Sequence, residues 1–137
     1  MALLTDPAIR YEPPPWMPPA VTPNLYSRWV KRMARAVFRR DQQRGGTYAA
    51  QEAADAIHDA VMATGGRDPY IGVTLRWDLI LRGNNEQHLL KPVVDHRNSR
   101  PEADFVICSQ FMNAAKGALP EAEMRRQLAE VCGALAA

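Results

Sequence analysis

Three short stretches carry residue types that could do chemistry together: Val93-Val94-Asp95-His96, Phe105-Val106-Ile107-Cys108 and Asn113-Ala114-Ala115-Lys116-Gly117. An Asp-His pair at the end of one strand, a return strand and a helix carrying Asn bring three polar groups toward one point. Asp95 and Asn113 each offer an oxygen, a hard ligand that suits Mg²⁺ or Mn²⁺ and leaves coordination positions for water and phosphate. Successive strand residues point to opposite faces, so Asp95 and His96 share a site only where the strand ends or twists. Arg97 and Asn98, which follow directly, suit such an ending. The competing reading makes Asp95 a turn cap with His96 packed against it, and Asn113 a solvated helix residue. The downstream register of Asn113 and Lys116 favours the site.

The elements that must position these groups follow from local pattern. Asn24 is a plausible N-cap, and Leu25, Trp29, Met33, Ala36 and Val37 recur at helical spacing, so the sequence predicts an amphipathic helix over Leu25 to Gln43, stopped by Gly45 and Gly46. Thr47 reads as the cap of a second helix, Tyr48 to Ala63, whose stripe is Ala50, Ala53, Ala54, Ile57, Val61 and Met62. His58 lies beside that stripe and reads as a partly exposed helix residue with no catalytic role. Val73 to Leu81 reads as a short strand or irregular core segment, Gly83-Asn84-Asn85 as a turn, and His88 as a loop residue. Leu89 to Val94 and Phe105 to Cys108 read as two strands. Ser109 can cap a helix ending at Gly117, and Pro120 can open a last helix through Met124, Leu128, Val131 and Leu135.

The chain of 137 residues holds 47% apolar residues, enough for one ordinary core. No run of about 18 apolar residues is present and no signal-peptide pattern opens the sequence, so neither a membrane span nor export is expected. Two cysteines, Cys108 and Cys132, are too few for a disulfide framework and fit a reducing cytoplasm. Residues 1–23 contain Pro7, Pro13, Pro14, Pro15, Pro18, Pro19 and Pro23 and read as a proline-rich arm, extended and polyproline-like. Trp16 and Met17 within it point to a strap packed on the rest, residues 24–137, which read as a single domain. Trp29, Trp77 and Cys108 are expected in the core.

The net charge of +2 hides an asymmetry. Residues 26 to 44 hold Arg28, Lys31, Arg32, Arg35, Arg39, Arg40 and Arg44 against Asp41 alone, a local charge of +6 that leaves −4 for the remainder. A solvated helix face is the plain reading. Basic charge gathered on one element with few compensating acids also suits a polyanion, since such contacts give affinity without reading sequence.

Val-Asp-His, a hairpin, an apolar strand ending in Cys, and Asn-x-x-Lys-Gly together resemble the core of the HNH endonucleases, the ββα-metal or His-Me finger nucleases. The resemblance extends more loosely to uncharacterised HNH-like bacterial proteins through Phe38-Arg39-Arg40-Asp41, Arg44-Gly45, Ile57, Ala60-Val61 and Asp68-Pro69-Tyr70, and covers about residues 36 to 130. It implies that His96 is the general base and that Asp95 and Asn113 hold one divalent cation, Mg²⁺ or Mn²⁺, with Lys116 facing phosphate. The loop-shaping Asn of the family has no direct counterpart: Asp104 or Asn98 would serve. The loop from His96 to Phe105 is also shorter than in the family. Paired Cys-x-x-Cys motifs are absent and Cys108 has no partner at the usual spacing, so no structural zinc is expected and the flanking helices must give the domain its shape.

The expectation is therefore an α+β domain, a ββα-metal core flanked by N-terminal helices and a C-terminal helix. It would hydrolyse phosphodiester bonds in DNA, with RNA left open, using His96, Asp95 and Asn113. Lys116, Arg97, Arg100, Arg35, Arg39 and Arg40 are its candidate phosphate contacts. The rival reading is a non-catalytic protein that keeps the hairpin and helix as a scaffold for nucleic acid or a protein. Small domains of this family also serve as antibacterial nuclease toxins, a role no residue here selects.

Overall fold

The computed structural model describes residues 6–81 and 87–136. Its elements are α1 (Pro23–Gln43), α2 (Ala50–Thr64), β1 (Pro92–His96), β2 (Phe105–Ser109), α3 (Gln110–Lys116) and α4 (Glu121–Ala136), with a 3-10 turn at Trp77–Ile80. The class is mixed α+β, with β1 and β2 forming a two-stranded antiparallel sheet. The turn expected at Gly83-Asn84-Asn85 lies outside the described residues.

The helix α1 starts earlier than expected. Pro23, which has no N–H to leave unsatisfied, takes the first helical position, and the cap is Thr22, whose hydroxyl accepts a bond from the Leu25 N–H, instead of Asn24. The buried face is also centred differently: Tyr26, Trp29, Val30, Ala34, Val37 and Asp41 face inward, while Ala36 is exposed and Met33 sits at the margin. Tyr26 and Val30 carry more apolar surface toward α2 than Leu25 and Ala36 can, and so set the rotation of the helix.

Ala50, Ala53, Ala54, Ile57 and Val61 form the matching face of α2. Met62 leaves that stripe, being 47% exposed, because one residue past Val61 turns the side chain about 100° away. The helix begins at Ala50, not Tyr48, and the backbone N–H of Ala49 is capped by the Glu52 carboxylate, with no part played by a Thr47 hydroxyl. Tyr48 is thereby left in the connection, where its side chain turns back to α1. Gly46 in this connection admits no side chain, since a Cβ there would lie 2.8 Å from the Pro101 carbonyl oxygen and 2.9 Å from that of Asp41. The hairpin loop therefore closes directly onto the end of α1.

In the sheet, Val93 pairs with Cys108, Asp95 with Val106 and His96 with Phe105. The first strand starts at Pro92, later than expected, because Leu89 and Leu90 are drawn into a turn in which the Leu90 N–H donates to His88 Nδ1. All five residues of β2 are buried. Phe105 and Ile107 join the main core with α1 and α2, whereas Val106 and Cys108 join a smaller one with Tyr70, Met112 and Met124. Burial pushes the Cys108 thiol up to about 12, so it remains a protonated core group. Asp68 is fully buried beneath this junction, accepting from the Tyr70 and Ile71 N–H groups on one oxygen and from the Ser109 N–H on the other. Ser109 caps α3 through a bond from the Met112 N–H. On α4 only Met124 is fully buried; Val131 and Leu135 are exposed.

The proline-rich arm is packed. It contains turns, with the Met17 N–H bonded to the Pro14 carbonyl and the Val21 N–H to that of Pro18, so it is not extended throughout. Tyr11, Met17 and Val21 are core residues, and Trp16 lies 5.1 Å from Trp77 between ring centres, with its ring filling the space where a Gly66 side chain would stand. Replacing Trp16 by Ala should cost about 2–4 kcal/mol in urea unfolding; a loss below about 0.5 kcal/mol would mean that the arm rests on the surface without supporting it.

Candidate active site at the end of the hairpin

Strand alternation separates the two residues at the end of β1. His96 turns toward α1, where it meets Asp41, with its ring 5.3 Å from that of Phe105, while Asp95 turns toward α3. Because His96 is the last paired residue, both still reach one cleft of about 240 Å³, whose walls also include Arg40, Asp41, Arg44, Val94 and Asn113. The sequence-derived trio Asp95, His96 and Asn113 is thus brought to a single depression between α1, β1 and α3.

Two buried groups that sequence reasoning did not assign to these positions hold the ends of the site. His96 Nε2 is 2.6 Å from Asp41 Oδ2, and the Tyr48 hydroxyl donates to the same oxygen at 2.6 Å. Burial, the bond to Asp41 and the charge of that carboxylate push the Tyr48 phenol above its ordinary range, so it stays protonated and donates. Asp41 is 1% exposed; its other oxygen makes no hydrogen bond to a described residue and lies 3.8 Å from an Arg44 guanidinium nitrogen. A signal existed in the sequence: Asp41 is the lone acid of the basic helix and follows Val37 by four residues on the apolar stripe.

The second group is Lys116. It is fully buried, donating to the His96 carbonyl at 2.9 Å and lying 3.1 Å from Asp95 Oδ2. That ion pair is off line for a hydrogen bond, and Asp95 Oδ2 is a buried oxygen without one among the described residues. The ammonium expected to face phosphate is instead held inside the protein, neutralising Asp95 and tying α3 to the end of β1. Asn113, one turn earlier on α3, stays partly exposed on the cleft wall, and its side-chain amide has no hydrogen bond to a described residue.

The remaining candidates are dispersed. Arg97 does not face the cleft; it bonds Glu121 at 2.6 Å, Asp104 at 3.1 Å and the Phe105 carbonyl, clamping the hairpin loop to the start of α4. Asp104 also accepts the Arg97 N–H on its carbonyl, so the loop is tied through Asp104 and not through the exposed Asn98. Arg100 is exposed on that loop, away from the cleft wall. Arg35 and Arg39 are exposed on α1, and of the trio with Arg40 only Arg40 reaches the cleft. His58 Nδ1 is held by the Tyr26 hydroxyl at 2.7 Å, in a different part of the core.

Among the described residues no three His, Cys, Asp or Glu side chains gather to hold a metal. The donors available are a carboxylate with a buried oxygen lacking a hydrogen bond and an amide lacking a described partner. In kind they fit a hard divalent cation that keeps several waters. The Lys116 ammonium competes for the same carboxylate. No family model, curated protein or solved structure matches this chain.

Burial alone would raise the Glu121 carboxyl, but the bonds from Arg97 and Arg125 outweigh it and hold the group below its ordinary 4.5. A depressed carboxyl contributes stability that is present above its unfolded value and disappears as pH falls through the folded one. Glu121→Gln should therefore cost about 1–2 kcal/mol at neutral pH. In parallel acid titrations of urea stability that gap should close below pH 4.5; a gap independent of pH would show that the clamp does not act through charge.

Proposed function

We propose that this chain is an HNH-like, metal-dependent endonuclease that hydrolyses phosphodiester bonds in DNA, with β1, β2 and α3 as its ββα-metal core. The observation that carries the reading is convergence: the adjacent Asp95 and His96 of β1 and Asn113 of the following helix α3 line one cleft together with the cationic Arg40 and Arg44. In this reading His96 is the general base. Its Nε2 is engaged by Asp41, so Nδ1 takes the proton of the attacking water as the water oxygen bonds to phosphorus and the bond from phosphorus to the 3′ oxygen breaks; that oxygen takes a proton from solvent. The developing imidazolium is paired with the Asp41 carboxylate. Asp95 and Asn113 would hold the divalent cation, Mg²⁺ or Mn²⁺, which when bound stabilises charge on the phosphate and the leaving oxygen. Arg40 and Arg44 neutralise the phosphate on the cleft wall, and the outward arginines of α1 bind flanking backbone.

One observation favours a second reading. Lys116 already neutralises Asp95 at 3.1 Å. A chain that relied on this internal ion pair would keep the scaffold and the basic helix for nucleic-acid binding without cleavage. Among the described residues no helix is long and apolar enough to cross a membrane.

Plasmid cleavage with Mg²⁺ or Mn²⁺ separates the two. Wild type should nick or linearise DNA and His96→Ala should lose roughly 10²–10⁴-fold in rate; equal rates in both, or none with either metal, leaves the binding scaffold. Combined replacement of Arg35, Arg39 and Arg40 by Ala should weaken DNA binding and reduce the slope of log affinity against log salt by roughly 0.9 for each phosphate that is no longer neutralised. An unchanged slope would make those arginines a solvated face.

A further inference from the structure

We infer that Asp41 is the positioning residue of this site: a carboxylate supplied by α1, outside the hairpin and α3, that fixes the His96 ring with its Nε2–H directed inward and leaves Nδ1 open to the cleft. The catalytic consequence rests on the nuclease reading above; the ring geometry does not.

The proton assignment follows from the donors. Oδ2 of Asp41 accepts from the Tyr48 hydroxyl and sits 2.6 Å from His96 Nε2. An ionised carboxylate has only acceptor sites, so Nε2 must donate. The other ring nitrogen, Nδ1, makes no hydrogen bond to a described residue, and His96 lines the cleft. The neutral imidazole then has one nitrogen able to take a proton, Nδ1.

The placement is costly in ways packing does not explain. Asp41 lies in the last turn of α1, where the negative end of the helix dipole disfavours an acid, and it is 1% exposed. Its Oδ1 has no hydrogen bond among the described residues. Burying a carboxylate costs desolvation that hydrogen bonds from an imidazole and a phenol at best offset, so stability alone gives no reason for Asp at this position. Holding an imidazole in one orientation does.

The end of α1 is itself fixed against the hairpin. Arg44 donates from its guanidinium to the Ser99 carbonyl at 3.1 Å, the Arg44 and Gly46 N–H groups return to the Asp41 carbonyl, and the missing Gly46 side chain lets Pro101 approach. Asp41 and His96, 55 residues apart, are thereby held in one rigid junction.

The test reads the ring proton directly. In the full chain with ¹⁵N-labelled histidine, wild type should show a downfield, slowly exchanging proton on His96 Nε2. Tyr48→Phe should keep it and Asp41→Ala should lose it. Asp41→Asn, which preserves volume, replaces the alanine variant if that chain does not fold, and should move the proton upfield. In plasmid cleavage with Mg²⁺, the Asp41 variant should lose roughly 10–100-fold in kcat at unchanged KM, less than His96→Ala. A ring proton found on Nδ1 in wild type, or one unchanged in the Asp41 variant, overturns the assignment, as does full activity in an Asp41 variant of a cleaving wild type. If wild type cleaves no DNA, the nuclease reading fails alone and the ring proton still decides whether Asp41 positions His96.

Discussion

Neighbouring residues of a strand point to opposite faces, and this constraint governs the whole junction. Asp95 and His96 are adjacent and both polar, so each needs a partner from a different layer of the fold. Lys116 on α3 answers Asp95, and Asp41 on α1 answers His96. The strand beside them, β2, is buried on both faces and separates the two cores, so the layers cannot shift independently. A hairpin alone could not hold such a pair; two or more further elements are required, and this chain places a helix on each side.

Both partners are fully buried, and that shapes what the junction can do. For the Lys116–Asp95 ion pair, taking one partner away leaves the other charge unpaired, at a cost of about 3–5 kcal/mol. Such pairs are therefore poor candidates for a loosely evolving surface and good candidates for fixed geometry. Lys116 holds two things at once, the Asp95 carboxylate and the His96 carbonyl, so the orientation of α3 and the end of β1 are set by one ammonium. Asn113, one turn away on the same helix, inherits its position on the cleft wall from that anchor.

The elements were largely legible in the sequence, because the periodicity of α1, α2 and the strands is strong and Gly65 and Ser109 mark limits in chemically ordinary ways, whereas the start of α1, read at Asn24 and Leu25, lies at Thr22 and Pro23. The rotation of α1 was not, since a stripe containing Trp29 and Val37 is compatible with Leu25 and Ala36 or with Tyr26 and Val30 on its flank, and only packing against α2 selects the second. The site was half legible. Asp95, His96 and Asn113 are close enough along a hairpin and helix for spacing to relate them, whereas the contact between Asp41 and His96 spans 55 residues and depends on how α1 meets the hairpin loop. Charge type misled as well. Lys116 and Arg97 look like phosphate contacts by residue type, but each has acids within reach in the fold, Asp95 for one and Glu121 and Asp104 for the other.

That difference between a basic residue and an available one also refines the reading of α1. Its local charge of +6 is one surface in sequence but two in space: Arg35, Arg39 and Arg40 point outward, while Asp41 turns inward from the same last turns. Were Asp41 only compensating the arginines, it would gain most by lying exposed among them, where a longer Glu would serve as well. Its burial against His96 and Tyr48 takes it out of that surface and leaves Arg35, Arg39 and Arg40 without it as an exposed partner, while its Oδ1 lies 3.8 Å from Arg44, which lines the cleft with Arg40. A single helix thereby orients the histidine from inside and keeps the approach to it positive from outside, and because both faces belong to one rigid element, neither can move without the other.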